Sequence, residues 1–111
     1  MKMKKNMKKG KDKYLRFFLN EVSKRFKGNF KRAILFGSRA RGDYTLYSDY
    51  DLILIFKETN VQVKEYLNEL QGEMLYNYNL VFSAFPYAEE KLKQMQFEPF
   101  FINARKEGMA V

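Results

Sequence analysis

Apolar positions in residues 13 to 27, KYLRFFLNEVSKRFK, recur at spacings of three and four: Leu15, Phe18, Val22 and Phe26. That period places them on one face of a helix, which Gly28-Asn29 is positioned to end. FKRAILF, Phe30 to Phe36, grows more apolar toward a glycine, the pattern of a strand that enters a core and stops. Residues 39 to 47 are polar and turn-like around Arg41-Gly42-Asp43, and YDLILIF, Tyr50 to Phe56, predicts a second buried strand.

Thr59 to Gln62 has the spacing of a capping box, ahead of a helical stripe of Val63, Tyr66, Leu67, Leu70 and Met74. Gly72 lowers helix propensity near its end, and YNYNLVFSAF, Tyr76 to Phe85, reads as a third strand. Pro86 suits the first turn of a third helix over 87 to about 96, and FEPFFINARKEG predicts a last short helix that docks aromatic side chains. No segment repeats. This order of elements predicts an α/β (α+β) fold, a small mixed β-sheet flanked by helices.

A chain of 111 residues, 46% hydrophobic with eleven Phe and eight Tyr, suffices for one core. Of the net charge of +8, residues 1 to 13 supply +6, from seven Lys against one Asp, and +2 remains for the rest. We therefore expect residues 1–13 to be a basic, mobile N-terminal extension and 14–111 a single domain, whose modest charge argues against nucleic acid as a partner. Cysteine and histidine are absent. That excludes disulfides, thiol nucleophiles, Cys/His zinc sites and Ser-His or Cys-His catalysis, so any metal must take oxygen ligands. The apolar runs are too short to span a membrane, and the Lys-rich start leads into no signal-peptide core; a cytoplasmic protein is expected.

The chemistry-bearing residues gather between the first two strands. Gly37-Ser38 closes the first strand, and after ten residues Asp49-Tyr50-Asp51 opens the second, with Ser48 directly before it. On a strand, i and i+2 share a face, so Asp49 and Asp51 project together and repel unless a cation lies between them. Mg²⁺ suits such a pair, because it binds through one or two carboxylates and completes its shell with water and substrate phosphate. Gly37 lets backbone approach a phosphate; Ser38 could cap a following helix; Arg39 and Arg41 could neutralise further anionic charge. Taken singly, these features read as a capped turn, a solvated strand edge and loop charges. Their conjunction favours a metal-nucleotide site, although no Walker or G-x-G-x-x-G string occurs.

This pattern, Gly37-Ser38 followed by Asp49-Tyr50-Asp51 within apolar flanks, resembles the signature of the DNA polymerase β nucleotidyltransferase superfamily, and its short form resembles that superfamily's minimal, antitoxin-type members. The resemblance is strong over residues 33 to 56 and weaker over 77 to 108. It implies a polymerase β-like mixed sheet, Mg²⁺ as cofactor and transfer of a nucleoside monophosphate, AMP from ATP above all, to an acceptor hydroxyl. Asp49 and Asp51 would be the catalytic metal ligands, and Gly37, Ser38, Arg39, Arg41 and Ser48 would surround the nucleotide phosphates. It also implies a partner: minimal members pair with HEPN-type toxin proteins and modify them, and a homo-oligomer is the alternative source of an acceptor site. The family's third carboxylate, on a later strand, has no counterpart in Tyr78-Asn79-Leu80; Asn79 is the closest stand-in, with Glu73 as a second candidate. An amide cannot act as a base, so a nucleotide-binding, partner-holding module with little turnover is the alternative function. Transfer to an antibiotic or an RNA end is a third reading.

Overall fold

The computed structural model describes residues 12–111. A helix α1 (Lys13–Arg25) leads into strand β1 (Phe30–Phe36), a single-turn helix α2 (Ser38–Arg41) and strand β2 (Tyr50–Phe56). Helix α3 (Val61–Tyr78), strand β3 (Phe82–Ala88), helices α4 (Glu89–Gln94) and α5 (Pro99–Glu107) and a two-residue strand β4 (Met109–Ala110) follow. The four strands form one mixed sheet in the order β3-β2-β1-β4. β1 runs antiparallel to β2 and β4, and β2 runs parallel to β3. The expected mixed sheet flanked by helices is the observed fold.

Alternation along β2 divides the core in two. Tyr50, Leu52, Leu54 and Phe56 face one side and pack with Leu15, Phe18 and Val22 of α1 and Val63, Leu67, Leu70 and Met74 of α3. Ile53 and Ile55 face the other and meet Ile34, Phe101 and Ala104 under α5. All of β2 from Leu52 to Phe56 is buried, as expected for a central strand covered on both faces. Among the described residues no helix is long and apolar enough to cross a membrane.

Residues 12 and 13, assigned from sequence to the extension, take part in the fold: Asp12 caps α1, its carboxylate accepting from the Tyr14 and Leu15 backbone N–H groups at 3.1 and 3.0 Å. The rest of the extension, residues 1–11, lies outside the described residues. Asp12 also accepts from the Tyr50 hydroxyl at 2.8 Å, tying the start of α1 to the start of β2. Burial and this carboxylate push the Tyr50 phenol upward. Tyr50→Phe removes one charge-assisted hydrogen bond while leaving the helix cap, so urea unfolding should show a loss of about 1 kcal/mol.

Three sequence-based expectations need correction. The third strand begins at Phe82, not Tyr76, because α3 continues through Gly72 to Tyr78. Its stripe through Leu70 and Met74 remains buried, and that burial offsets the cost of one helical glycine. Pro86 lies within β3, not in a helix, and α4 begins only at Glu89. β3 is an edge strand, and the Ala84 N–H, two residues before Pro86, is satisfied by the Gln71 side chain of α3 at 2.7 Å instead of by β2. Residue 86 shares that outward direction, so a missing N–H costs the sheet nothing there. Finally, the cap of α3 is Asn60, whose side chain accepts from the Val63 N–H at 2.9 Å, not Thr59.

Candidate active site

The site lies where β1 ends and β2 begins. Phe36 pairs with Asp51 across the antiparallel ladder, so the turn after β1 crosses directly over the Asp51 carboxylate. Gly37 there has φ 74° and ψ −160°, a region essentially restricted to glycine. A Cβ at this position would sit 2.6 Å from Asp51 Oδ2, so this glycine is needed for both conformation and space. Gly37 is itself the N-cap of α2, which makes Ser38 its first residue and corrects the expectation that Ser38 caps. The carbonyl of Gly37 accepts from the Ala40 and Arg41 N–H groups at 3.1 Å each. Single-turn helix α2 thus begins with Ser38, partly exposed and next in sequence to the glycine that lies against Asp51.

Asp49 is exposed just before β2, and Asp51 is partly buried within it; Tyr50 between them is 3% exposed and turned into the opposite core. The two carboxylates are close enough to interact. Burial first, and then the charge of Asp49, push the Asp51 carboxyl above its ordinary range, and Arg41 partly opposes them. The donors are all oxygens. Among the described residues no three His, Cys, Asp or Glu side chains cluster as a metal cage. Two carboxylates without a third therefore suit an ion that completes its shell from phosphate and water, as Mg²⁺ does, better than a cation needing an all-protein cage.

The arginines differ from each other. Arg39 donates from Nε to the Ser48 carbonyl at 3.0 Å, and its guanidinium lies 3.8 Å from the Tyr50 ring centroid and 4.9 Å from that of Tyr44. Tyr50 stacks on Phe82 at 4.3 Å and Phe82 on Phe18 at 4.5 Å, so one column carries Arg39 down into the core. Arg39 thereby fixes the loop that delivers Asp49. Ser48 closes the same loop, its hydroxyl accepting from the Thr45 N–H at 3.0 Å and its own N–H donating to the Thr45 carbonyl at 3.1 Å. Arg41 instead pairs with Glu107 at 3.2 Å and Asp43 at 3.5 Å, joining α2 to the end of α5. Arg39→Ala should cost about 1–2 kcal/mol, from the lost cation–π contact and hydrogen bond, and should speed amide exchange selectively between residues 43 and 49.

Asn79 is not on a strand. It ends α3 in the left-handed conformation, φ 55° and ψ 37°, and its N–H donates to the Leu75 carbonyl at 3.0 Å. The β3 residue paired with Asp51 is Ser83, which shares its face of the sheet. Glu73 is exposed on α3 and acts electrostatically on Tyr66, whereas Asp49 and Arg41 are the charges acting on Asp51. Sequence reasoning also missed Tyr44 and Tyr50 as the Arg39 clamp and Glu107 as the Arg41 partner. The Tyr50 role was accessible from alternation, since a residue between two same-face acids must point into the core.

Comparison with known proteins bears on the family and the fold. The family model of the nucleotidyltransferase domain matches residues 15–106. The chain is 33% identical over 97 residues to "Putative protein adenylyltransferase MJ0604" of Methanocaldococcus jannaschii, covering 87% of this chain and 93% of that protein. Among solved structures, a "putative nucleotidyltransferase" from Sulfolobus solfataricus aligns with TM-score 0.57 and 24% identity over 88% of this chain and 76% of its own. A toxin-antitoxin complex solved with AMP-PNP aligns with TM-score 0.56 and 12% identity over 85% and 69% of the two chains, a likeness of fold. A family match across residues 15–106, nearly all the described residues, places this chain in the nucleotidyltransferase domain family.

Proposed function

We propose that the protein transfers AMP from Mg-ATP to a hydroxyl on a partner protein, a HEPN-type toxin being the leading candidate. The observation that carries this reading is the seating of Asp51 against Gly37, with the charge of Asp49 near enough to act on Asp51. Asp49 and Asp51 would hold Mg²⁺, which when bound neutralises the triphosphate and the charge that develops on pyrophosphate. Gly37 would admit the phosphate chain close to backbone, and the Ser38 hydroxyl would donate to a phosphate oxygen. Arg39 and Ser48 serve by fixing the Asp49 loop, so their part in phosphate binding is indirect. Arg41, exposed and shared between two acids, remains available to exchange a carboxylate for a phosphate.

The relative named as a protein adenylyltransferase supports a protein acceptor, and the toxin-antitoxin structures of similar fold support a toxin as that protein. Ser83 in the position beside Asp51 favours a second reading, a module that binds nucleotide and holds its partner with little turnover. The two separate cleanly. Purified full-length protein, Mg-ATP and a partner chain are incubated, with intact mass and pyrophosphate release as readouts. Addition of one AMP to the partner, with matching pyrophosphate, is the expected result; saturable nucleotide binding without either product would replace the transferase by the module.

A further inference from the structure

On the face of the sheet that carries Asp51, but further along the strands, the structure holds a concavity of about 290 Å³. Neither Gly37 and Ser38 nor the acid pair lines it. Its floor is apolar, built from Ile34, Ile53, Ile55 and Phe101, and α4 and α5 form its walls. Its charged lining is three cations, Arg32, Lys93 and Arg105, against one acid, Glu89, which already faces Arg32 at 3.8 Å. Arg105 is anchored by a donation from its Nη2 to the Gln96 carbonyl. Among the described residues, Arg105 Nε is the one buried side-chain nitrogen or oxygen without a hydrogen-bond partner. A buried guanidinium N–H left unpaired is costly, and it marks the α5 wall of the cleft as a strained, electropositive place.

From these features we infer that the cleft between α4, α5 and the sheet binds a small amphiphilic anion, its apolar body over Ile34, Ile53 and Ile55 and its anionic head among Arg32, Lys93 and Arg105. The volume is near the lower bound for small-molecule sites, and an apolar floor with few polar groups on one side is their usual composition. The excess of positive charge selects an anion over a neutral or cationic amphiphile, and a guanidinium or ammonium donor makes the head-group bond charge-assisted.

The test uses the full chain labelled with ¹⁵N and titrated with octanoate, octyl phosphate and 1-octanol. A saturable shift of the Ile53, Ile55, Ala104 and Arg105 amides by an anion is expected, about tenfold tighter than by octanol; which anion binds more tightly identifies the head group. Arg105→Gln should weaken the anion about tenfold. Lys93→Glu, on a side chain 72% exposed, tests the same charge preference without touching the core and should weaken it by about threefold or more. Equal binding of octanol and the anions, insensitivity to both substitutions, or absence of saturation would each overturn the inference. So would the same resonances moving with protein concentration alone, which would make a second copy of the chain the occupant.

Discussion

Asp51→Asn should lower nucleotide transfer by about 100-fold or more while leaving the folded protein at least as stable at neutral pH. The loss follows from removing one of the two charges proposed to hold the metal-nucleotide complex, a pre-organised electrostatic contact of the kind whose deletion costs about two to three orders of magnitude. The stability half follows from the carboxyl being raised above its ordinary value of 3.8 by burial and by Asp49. Between that value and its folded pKa, the native state binds more protons than the unfolded chain, so stability falls as pH rises through the interval and stays reduced above it. Asparagine removes the penalty. The melting temperature of the variant should therefore match or exceed that of the parent at pH 7, with the difference vanishing below about pH 4. Mg-ATP should raise the parent's melting temperature and leave the variant's nearly unchanged, since stabilisation by a ligand scales with its affinity for the native state. A variant that keeps its activity, or melts several degrees lower at pH 7, would show that Asp51 serves the fold and not the reaction.

That separation matters because the legible and illegible parts of this sequence divide along the same line. β1 and β2 were readable to the residue: their apolar runs end at a glycine and start at an acid pair, and a central strand covered on both faces has no polar alternation to blur it. The α1 face was equally plain. β3 was misplaced because Tyr76, Tyr78 and Val81 have high strand propensity, yet Tyr76 and Tyr78 lie exposed on the last turns of a helix fixed from below by Met74. Pro86 misled for a related reason: whether a strand can accept proline depends on its having only one neighbour, and topology settles that. The candidate site was visible as a set of residue types, whereas the division of labour between Arg39 and Arg41 was not. One stacks on Tyr50 and the other reaches Glu107, 66 positions away, and a local pattern contains neither partner.

Gly37→Ala should damage both the fold and the site, and its effect should depend on Asp51. Two costs combine. The backbone at φ 74°, ψ −160° disfavours any side chain by about 1–3 kcal/mol, and the new methyl would lie 2.6 Å from Asp51 Oδ2, forcing the carboxylate out of its position. For a domain of this size that is a fall in melting temperature of roughly 5–15 °C, with nucleotide transfer reduced by about 100-fold because the displaced group is the one proposed to hold the metal. Gly42 supplies the control: its φ is 92°, but a Cβ there would meet nothing within 4 Å, so Gly42→Ala carries backbone strain alone and should leave transfer nearly intact. A double-mutant cycle isolates the contact. In an Asp51→Ala background the carboxylate is gone, so Gly37→Ala should cost less than in the parent by about 1 kcal/mol or more, the coupling expected of two groups in direct contact. Equal costs in both backgrounds would mean that Gly37 is required only for its backbone conformation, and that the close approach of turn to carboxylate does not fix Asp51.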